Sequence, residues 1–193
     1  MHDPEPLVEL PAAAPGELDC VIGLGSNLAD RRAYLVGAIR GVLRLGSLIA
    51  VSPLYESPAV GPPQPDYLNA AVRVRTRLEP HALLAELLEL ERRAGRVRLE
   101  RWGPRTLDLD ILWISGRTVV GPGLTVPHPE LGRRAFAVLP LLDVAPDATD
   151  PVTGLPYASI AKQLDRTDVR ELPSSRAGWL ESVEFAGLDM PSP

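Results

Sequence analysis

Lysine is almost missing from this 193-residue chain, since Lys162 is the only one and the other basic residues are arginines. Cysteine is as scarce. Cys20 stands alone, which excludes an internal disulfide and a cysteine-rich zinc site and points to a reducing, cytoplasmic setting. No apolar run approaches the roughly 18 residues of a membrane span. The N-terminal stretch MHDPEPLVELPAAAPGEL lacks the basic region and apolar core of a secretion signal. There is no excess of positive charge either: the net charge is −5, against a general binder of polyanions. Any basic site must therefore be local, and neither nucleic acid nor membrane is expected as a partner.

What is present suffices for one domain with loose ends. A 45% hydrophobic content can fill a core. Residues 1–17, rich in proline and small side chains, are expected to be a disordered extension, and 18–171 to form the functional domain. In the tail, 172–193, Trp179, Leu180, Val183 and Phe185 could dock on the body or form a sticky end.

Cys20 to Leu24 is a short apolar run bounded by Gly25, which predicts a buried strand. Asp30 can cap a following helix in which Leu35, Ile39, Val42 and Leu43 recur until Gly46. Leu48 to Val51 reads as a second strand, and 57–66 as a proline-rich loop. From Tyr67 to Thr76, Leu68, Ala70, Val72 and Val74 alternate with other positions, the period of a half-buried strand. Pro80 to Ala94 has proline in its first turn, Leu83, Leu84, Leu87, Leu88 and Glu91 in helical register, and Gly95 at its end. Thr106 to Ile114 is a fourth strand.

This order gives an α+β fold with a ferredoxin-like βαββαβ core: an antiparallel sheet with both helices on one face and the other face open for a site. Arg117 to Val120 suggests a short ribbon, Thr125 to Glu130 a proline-flanked loop, and Ala135 to Val144 a helical addition.

On the fourth strand Leu107, Leu109 and Ile111 point one way and Asp108 and Asp110 the other. The two carboxylates then stand about 6–7 Å apart along the chain and repel. Such a pair serves either an ordinary solvated face or a hard cation such as Mg²⁺. Directly before it, RRAGRVRLERWGPR places Arg92, Arg93, Arg96, Arg98, Arg101 and Arg105 among fourteen residues, opposed only by Glu100. Arginine suits forked recognition of phosphate oxygens. Aspartates for Mg²⁺ beside arginines for phosphate describe a nucleoside triphosphate site. No GxxxxGK[ST] loop is present, and GLGSNL, residues 23–28, has two glycines of a GxGxxG pattern, as a strand-to-helix turn also would.

GLGSNL, QPDYLNAAV, GRVRLERWGPRTLDLDIL and LTVPHPEL, in this order from about Cys20 to Asp150, resemble the 6-hydroxymethyl-7,8-dihydropterin pyrophosphokinase family of folate biosynthesis. The resemblance implies transfer of the pyrophosphoryl unit of ATP to the pterin hydroxymethyl group, giving AMP, with two Mg²⁺ ions and a chain that works as a monomer. It makes Asp108 and Asp110 the metal ligands, and it draws Arg96, Arg98 and Arg105 into catalysis. ATP contacts would come from Arg101, Trp102, Arg105, Leu124, Thr125, His128, Arg134 and Glu91. The pterin, flat and rich in donors and acceptors, would stack on Tyr67 and Phe136, pair with Asn69 and be rimmed by Ser57, Pro58 and Val60.

Two other classes share parts of the pattern. A glycosyltransferase with an Asp-x-Asp metal site would act on nucleotide sugars and ignore pterins. An RNA-binding module on a ferredoxin-like sheet would need exposed aromatics, and Thr106 to Leu112 contains none.

Overall fold

The computed structural model describes residues 13–96 and 103–173 together with Trp179. The first strand, β1 (Leu18–Ser26), lies at the centre of an antiparallel sheet, and α1 (Arg31–Val42) follows it. The Asp30 carboxylate caps α1 by accepting from the Ala33 N–H at 3.0 Å. Next come β2 (Ser47–Val51), β3 (Tyr55–Ser57), β4 (Tyr67–Thr76) and α2 (Pro80–Arg93). The chain continues through β5 (Asp108–Ile114), a hairpin of β6 (Val119–Gly121) and β7 (Leu124–Val126), and α3 (Ala135–Val144). It closes with a one-turn α4 (Tyr157–Ala161) and a two-residue β8 (Arg170–Glu171). Strand order is β5-β1-β4-β3-β8, with β2 also on β4. Among the described residues, no helix is long and apolar enough to cross a membrane.

The alternation along β1 and β4 divides the sheet into two faces. Cys20, Ile22 and Leu24 with Leu68, Ala70, Val72 and Val74 face the main core, where Leu35, Ile39 and Val42 of α1 and Leu83 and Leu87 of α2 bury against them. Burial of such side chains stabilises the fold by about 1.5–3 kcal/mol each. The expected core of four strands and two helices on one face is thus present.

The second face is not wholly open. Over half of it, Val21, Ala71, Leu112 and Trp113 pack against Val138, Leu141 and Val144 of α3 and Tyr157 of α4. Two local causes produce this cover. Helix α3, AFAVLPLLDV, is apolar nearly all round. A register shift in the β1–β5 pairing, Val21 to Trp113 and Ile22 to Ile111, leaves Leu112 as an extra residue, so it and Trp113 join the same apolar cluster. The bare remainder carries the cleft.

Three local readings need correcting. Gly25 does not bound β1, because the strand runs on to Ser26 with Gly25 paired to both Asn69 and Asp108. Part of the expected loop from Thr125 is strand, Leu124–Val126, since β6 supplies its hydrogen-bonding edge. The proline-rich loop is preceded by β3, too short to show a period. Trp179 is docked: its ring is 1% exposed in the main core.

Candidate active site

The bare half of the second face is a cleft of about 120 Å³, several times the roughly 10–15 Å³ that one water needs by the same measure. Its floor follows from pairing. Asp108 sits opposite Gly25 and Gly25 opposite Asn69, while Asp110 sits opposite Gly23 and Gly23 opposite Ala71. The Leu112 side chain lies over Gly23, within 3.0 Å of where a β-carbon would stand, so the open floor above β1 is at Gly25, with a carboxylate wall on β5 and an amide and aromatic wall on β4. A β-carbon added at Gly25 would meet the Tyr67 ring at 3.4 Å and Asn69 Oδ1 at 3.6 Å, so both groups lean over the glycine.

On the β4 side, Asn69 is buried and its Nδ2 donates to Ser57 Oγ at 2.9 Å. The Tyr67 phenol is held above its usual pKa by burial and by Asp108, so it stays neutral. Phe136, in the first turn of α3, and Val60, 54% exposed at the rim, complete this wall. Arg134, just before α3, places its guanidinium 5.8 Å from the centre of the Phe136 ring.

The β5 side is charged. Asp108 Oδ1 accepts from Arg105 at 2.6 Å and pairs with Arg96 at 2.9 Å. Asp110 has its carboxyl pushed up by burial and by the neighbouring charge of Asp108, against the pull of His128. His128 reaches the cleft because its N–H donates to Leu112 O at 2.9 Å, tying the end of the hairpin to β5.

Behind the aspartates lies Glu91, on the apolar stripe of α2 four residues after Leu87 and eight after Leu83, and 2% exposed. One carboxylate oxygen accepts the Leu109 N–H at 2.7 Å and pairs with Arg96. Burial pushes the carboxyl up to about 7 against these two contacts.

The cleft therefore gathers Ser57, Val60, Tyr67, Asn69 and Phe136 with Arg105, Asp108, Asp110, His128 and Arg134. Arg96 and Glu91 stand behind Asp108. Other expected residues are not in its lining. Pro58 is exposed, Thr125 is exposed on β7, and the Leu124 side chain is buried in the main core. Arg98, Arg101 and Trp102 lie outside the described residues.

Two features went unread in the sequence. The glycines of GLGSNL belong to strand β1, not to a turn or a phosphate loop, and they make the floor of the cleft. Asn27, 1% exposed, is a clamp: Oδ1 accepts the Arg105 N–H at 2.7 Å, and Nδ2 donates to Gln64 Oε1 at 2.9 Å and Pro65 O at 3.0 Å. It joins the end of the arginine loop to the proline-rich loop. A 78-residue separation from Arg105 hides that role from any local pattern.

The carboxylate pair fits hard cations. Among the described residues no group of three or more His, Cys, Asp or Glu could hold a metal, and the carboxylates that line the cleft are the two aspartates. That matches Mg²⁺, which takes one or two carboxylates and completes its shell with phosphate oxygens and water.

Residues 21–146 match the model of the 7,8-dihydro-6-hydroxymethylpterin-pyrophosphokinase family. A 2-amino-4-hydroxy-6-hydroxymethyldihydropteridine pyrophosphokinase from Synechocystis is 42% identical over 151 residues, covering 77% of this chain and 77% of its own. The Pseudomonas aeruginosa protein of the same description is 46% identical over 133 residues, 67% of this chain and 82% of its own. Among solved structures, a wild-type Plasmodium falciparum HPPK-DHPS superposes with a TM-score of 0.61 over 76% of this chain at 14% identity. This chain spans only 44% of that longer one, and the likeness is one of fold.

Proposed function

The chain belongs to the 7,8-dihydro-6-hydroxymethylpterin-pyrophosphokinase family and transfers the pyrophosphoryl group of ATP to hydroxymethyldihydropterin in folate biosynthesis; from that premise we propose how its own residues divide the work. The observation that carries the reading is the row Asp108–Gly25–Asn69, which sets a carboxylate wall and an amide wall on opposite sides of a floor without side chains.

The pterin lies on that floor. Tyr67 and Phe136 hold its flat ring, and Asn69, with Nδ2 committed to Ser57, offers Oδ1 to a ring N–H or amino group. Ser57 and Val60 rim the ring, with Pro58 outside the contact. The hydroxymethyl group then points to Asp108 and Asp110.

The triphosphate lies along the β5 side. Arg105 and His128 line the cleft there and neutralise phosphate oxygens, Arg96 does so from behind Asp108, and Arg134 reaches them from beside Phe136. Arg105 and Arg96 exchange Asp108 for phosphate as ATP enters. Arg98, in catalysis, and Arg101 and Trp102, as ATP contacts, keep the roles that the family resemblance gives them and lie outside the described residues. Thr125 and the backbone of Leu124 would meet the nucleoside beyond the cleft.

Asp108 and Asp110 would hold two Mg²⁺ ions. When bound, Mg²⁺ supplies charge neutralisation of the triphosphate and lowers the pKa of the pterin hydroxyl. Asp110 accepts the hydroxyl proton at a carboxylate oxygen while the hydroxyl oxygen bonds the β-phosphorus and AMP leaves.

The test is to incubate the chain with Mg²⁺, ATP and 6-hydroxymethyl-7,8-dihydropterin and resolve the products by mass. Equal amounts of AMP and pterin pyrophosphate, lost on chelation, are expected. Formation of ADP would overturn pyrophosphoryl transfer, and turnover that ignores chelation would overturn the metal-assisted reading.

A further inference from the structure

The family match ends at residue 146, yet the chain beyond it returns to the sheet beside the cleft, although none of it lines the cleft itself. Its target is β3, the three-residue strand that carries Ser57. The inner edge of β3 pairs with β4: Tyr55 to Asn69, Glu56 to Leu68 and Ser57 to Tyr67. A strand so short with one partner is marginal by itself.

The outer edge of β3 is held by residues after 146. β8 pairs Arg170 with Glu56 and Glu171 with Tyr55, and the Leu172 N–H donates to Leu54 O at 2.8 Å. Arg170 also reaches Glu56 Oε2 at 2.6 Å, while Arg31 of α1 takes Oε1 at 2.9 Å. Upstream, Trp179 donates its indole N–H to Ser52 O at 3.2 Å and sits in the main core with Leu54. Ser52 is itself locked to β4: its N–H donates to Ala71 O, and its Oγ accepts the Ala71 N–H, both at 2.9 Å. Ser52, Leu54, Tyr55 and Glu56 each take a contact from this late segment, alongside the bond that the Tyr55 hydroxyl donates to Asp143 Oδ2 of α3 at 2.6 Å.

We propose that the C-terminal segment is a positioning element for pterin: Trp179 and β8 hold β3 in place, so that Ser57 can orient the Asn69 carboxamide over the cleft. Trp179, Arg170 and the Leu172 amide act through Ser57 and Asn69 and touch no substrate. The inference rests on the pterin reading of those two residues. If β3 is in place only a fraction of the time once an anchor is lost, the apparent pterin affinity falls by that fraction, and the triphosphate side of the cleft, on β5, is unaffected.

Calorimetric titration of the full chain, saturated with Mg²⁺ and a non-hydrolysable ATP analogue, would measure 6-hydroxymethylpterin binding in Trp179→Ala and Arg170→Ala. A loss of about tenfold or more is expected for Trp179→Ala and a smaller one for Arg170→Ala, with analogue affinity within about twofold. Amide exchange at residues 54–57 should accelerate in step, and Trp179→Phe, which keeps most of the buried ring, should recover most of the pterin affinity. Should Trp179→Ala fail to fold, the phenylalanine variant and the exposed Arg170→Ala decide the matter. Unchanged pterin binding in folded variants, or equal losses for both ligands, would overturn the proposal. An unmodified chain that takes no pterin would instead sink the functional reading, and the exchange rates of β3 would still judge the brace.

Discussion

Asp108 and Asp110 are two residues apart but meet different surroundings, Asp108 facing two guanidiniums and Asp110 facing burial and its neighbour's charge. Asp110→Asn removes the charge that burial penalises, so the melting temperature should hold or rise while AMP formation falls by about 10²–10⁴. Retained turnover would take Asp110 out of proton transfer. On the opposite wall, Asn69→Ala leaves pterin groups unpaired, so pterin affinity should drop by about 1–3 kcal/mol in calorimetry with ATP-analogue affinity unmoved. Glu91 gives a pH signature. Its folded pKa of about 7 is raised from 4.5, so the folded state keeps a proton that the unfolded chain has released. The stability this confers is fully present below about 4.5 and is lost as pH rises through about 7. Glu91→Gln, which keeps an acceptor for the Leu109 N–H, should flatten the decline of melting temperature over that window, and an unchanged slope would assign the decline elsewhere.

At the scale of elements, β1 has two jobs set by its alternation: apolar side chains toward α1 and α2, and glycine toward the cleft. Gly25→Ala brings a methyl to 3.4 Å from the Tyr67 ring, an ordinary contact that the fold accepts but that occupies the pterin's floor. Thermal stability should stay within about 1 kcal/mol, as glycine in a strand is itself unfavourable. Pterin binding should weaken severalfold, and unaltered binding would move the ring off this floor. The strands and helices of the core were legible because their periods are local: β4 and α3 have the bounds that alternation and the apolar run predict, and the Asp108–Asp110 face follows from period two. The rest depends on partners far along the chain. Nothing near Leu112 announces that β1 shifts register there, nothing in GLGSNL shows that its glycines face β5, and Asn27 gains its role only from Arg105.

For the molecule as a whole, Cys20 reports global opening. It sits at 0% exposure in β1 at the heart of the sheet, and burial, then Asp19, pushes its thiol up to about 12. Alkylation by iodoacetamide at pH 8 should therefore wait on unfolding of the core. Labelling that outpaces the loss of near-ultraviolet circular dichroism would mean that β1 opens locally. The docking of Trp179 was left open by the sequence because its partner, Ser52, is 127 residues away. Its neighbour β8 has a consequence of another kind. A sheet edge is a row of unpaired N–H and C=O groups that any extended chain can join, and β3 would be such a row. By laying Arg170–Glu171 along it, and ending the pairing after two residues, the chain covers that row with its own later residues and leaves only a two-residue edge in its place.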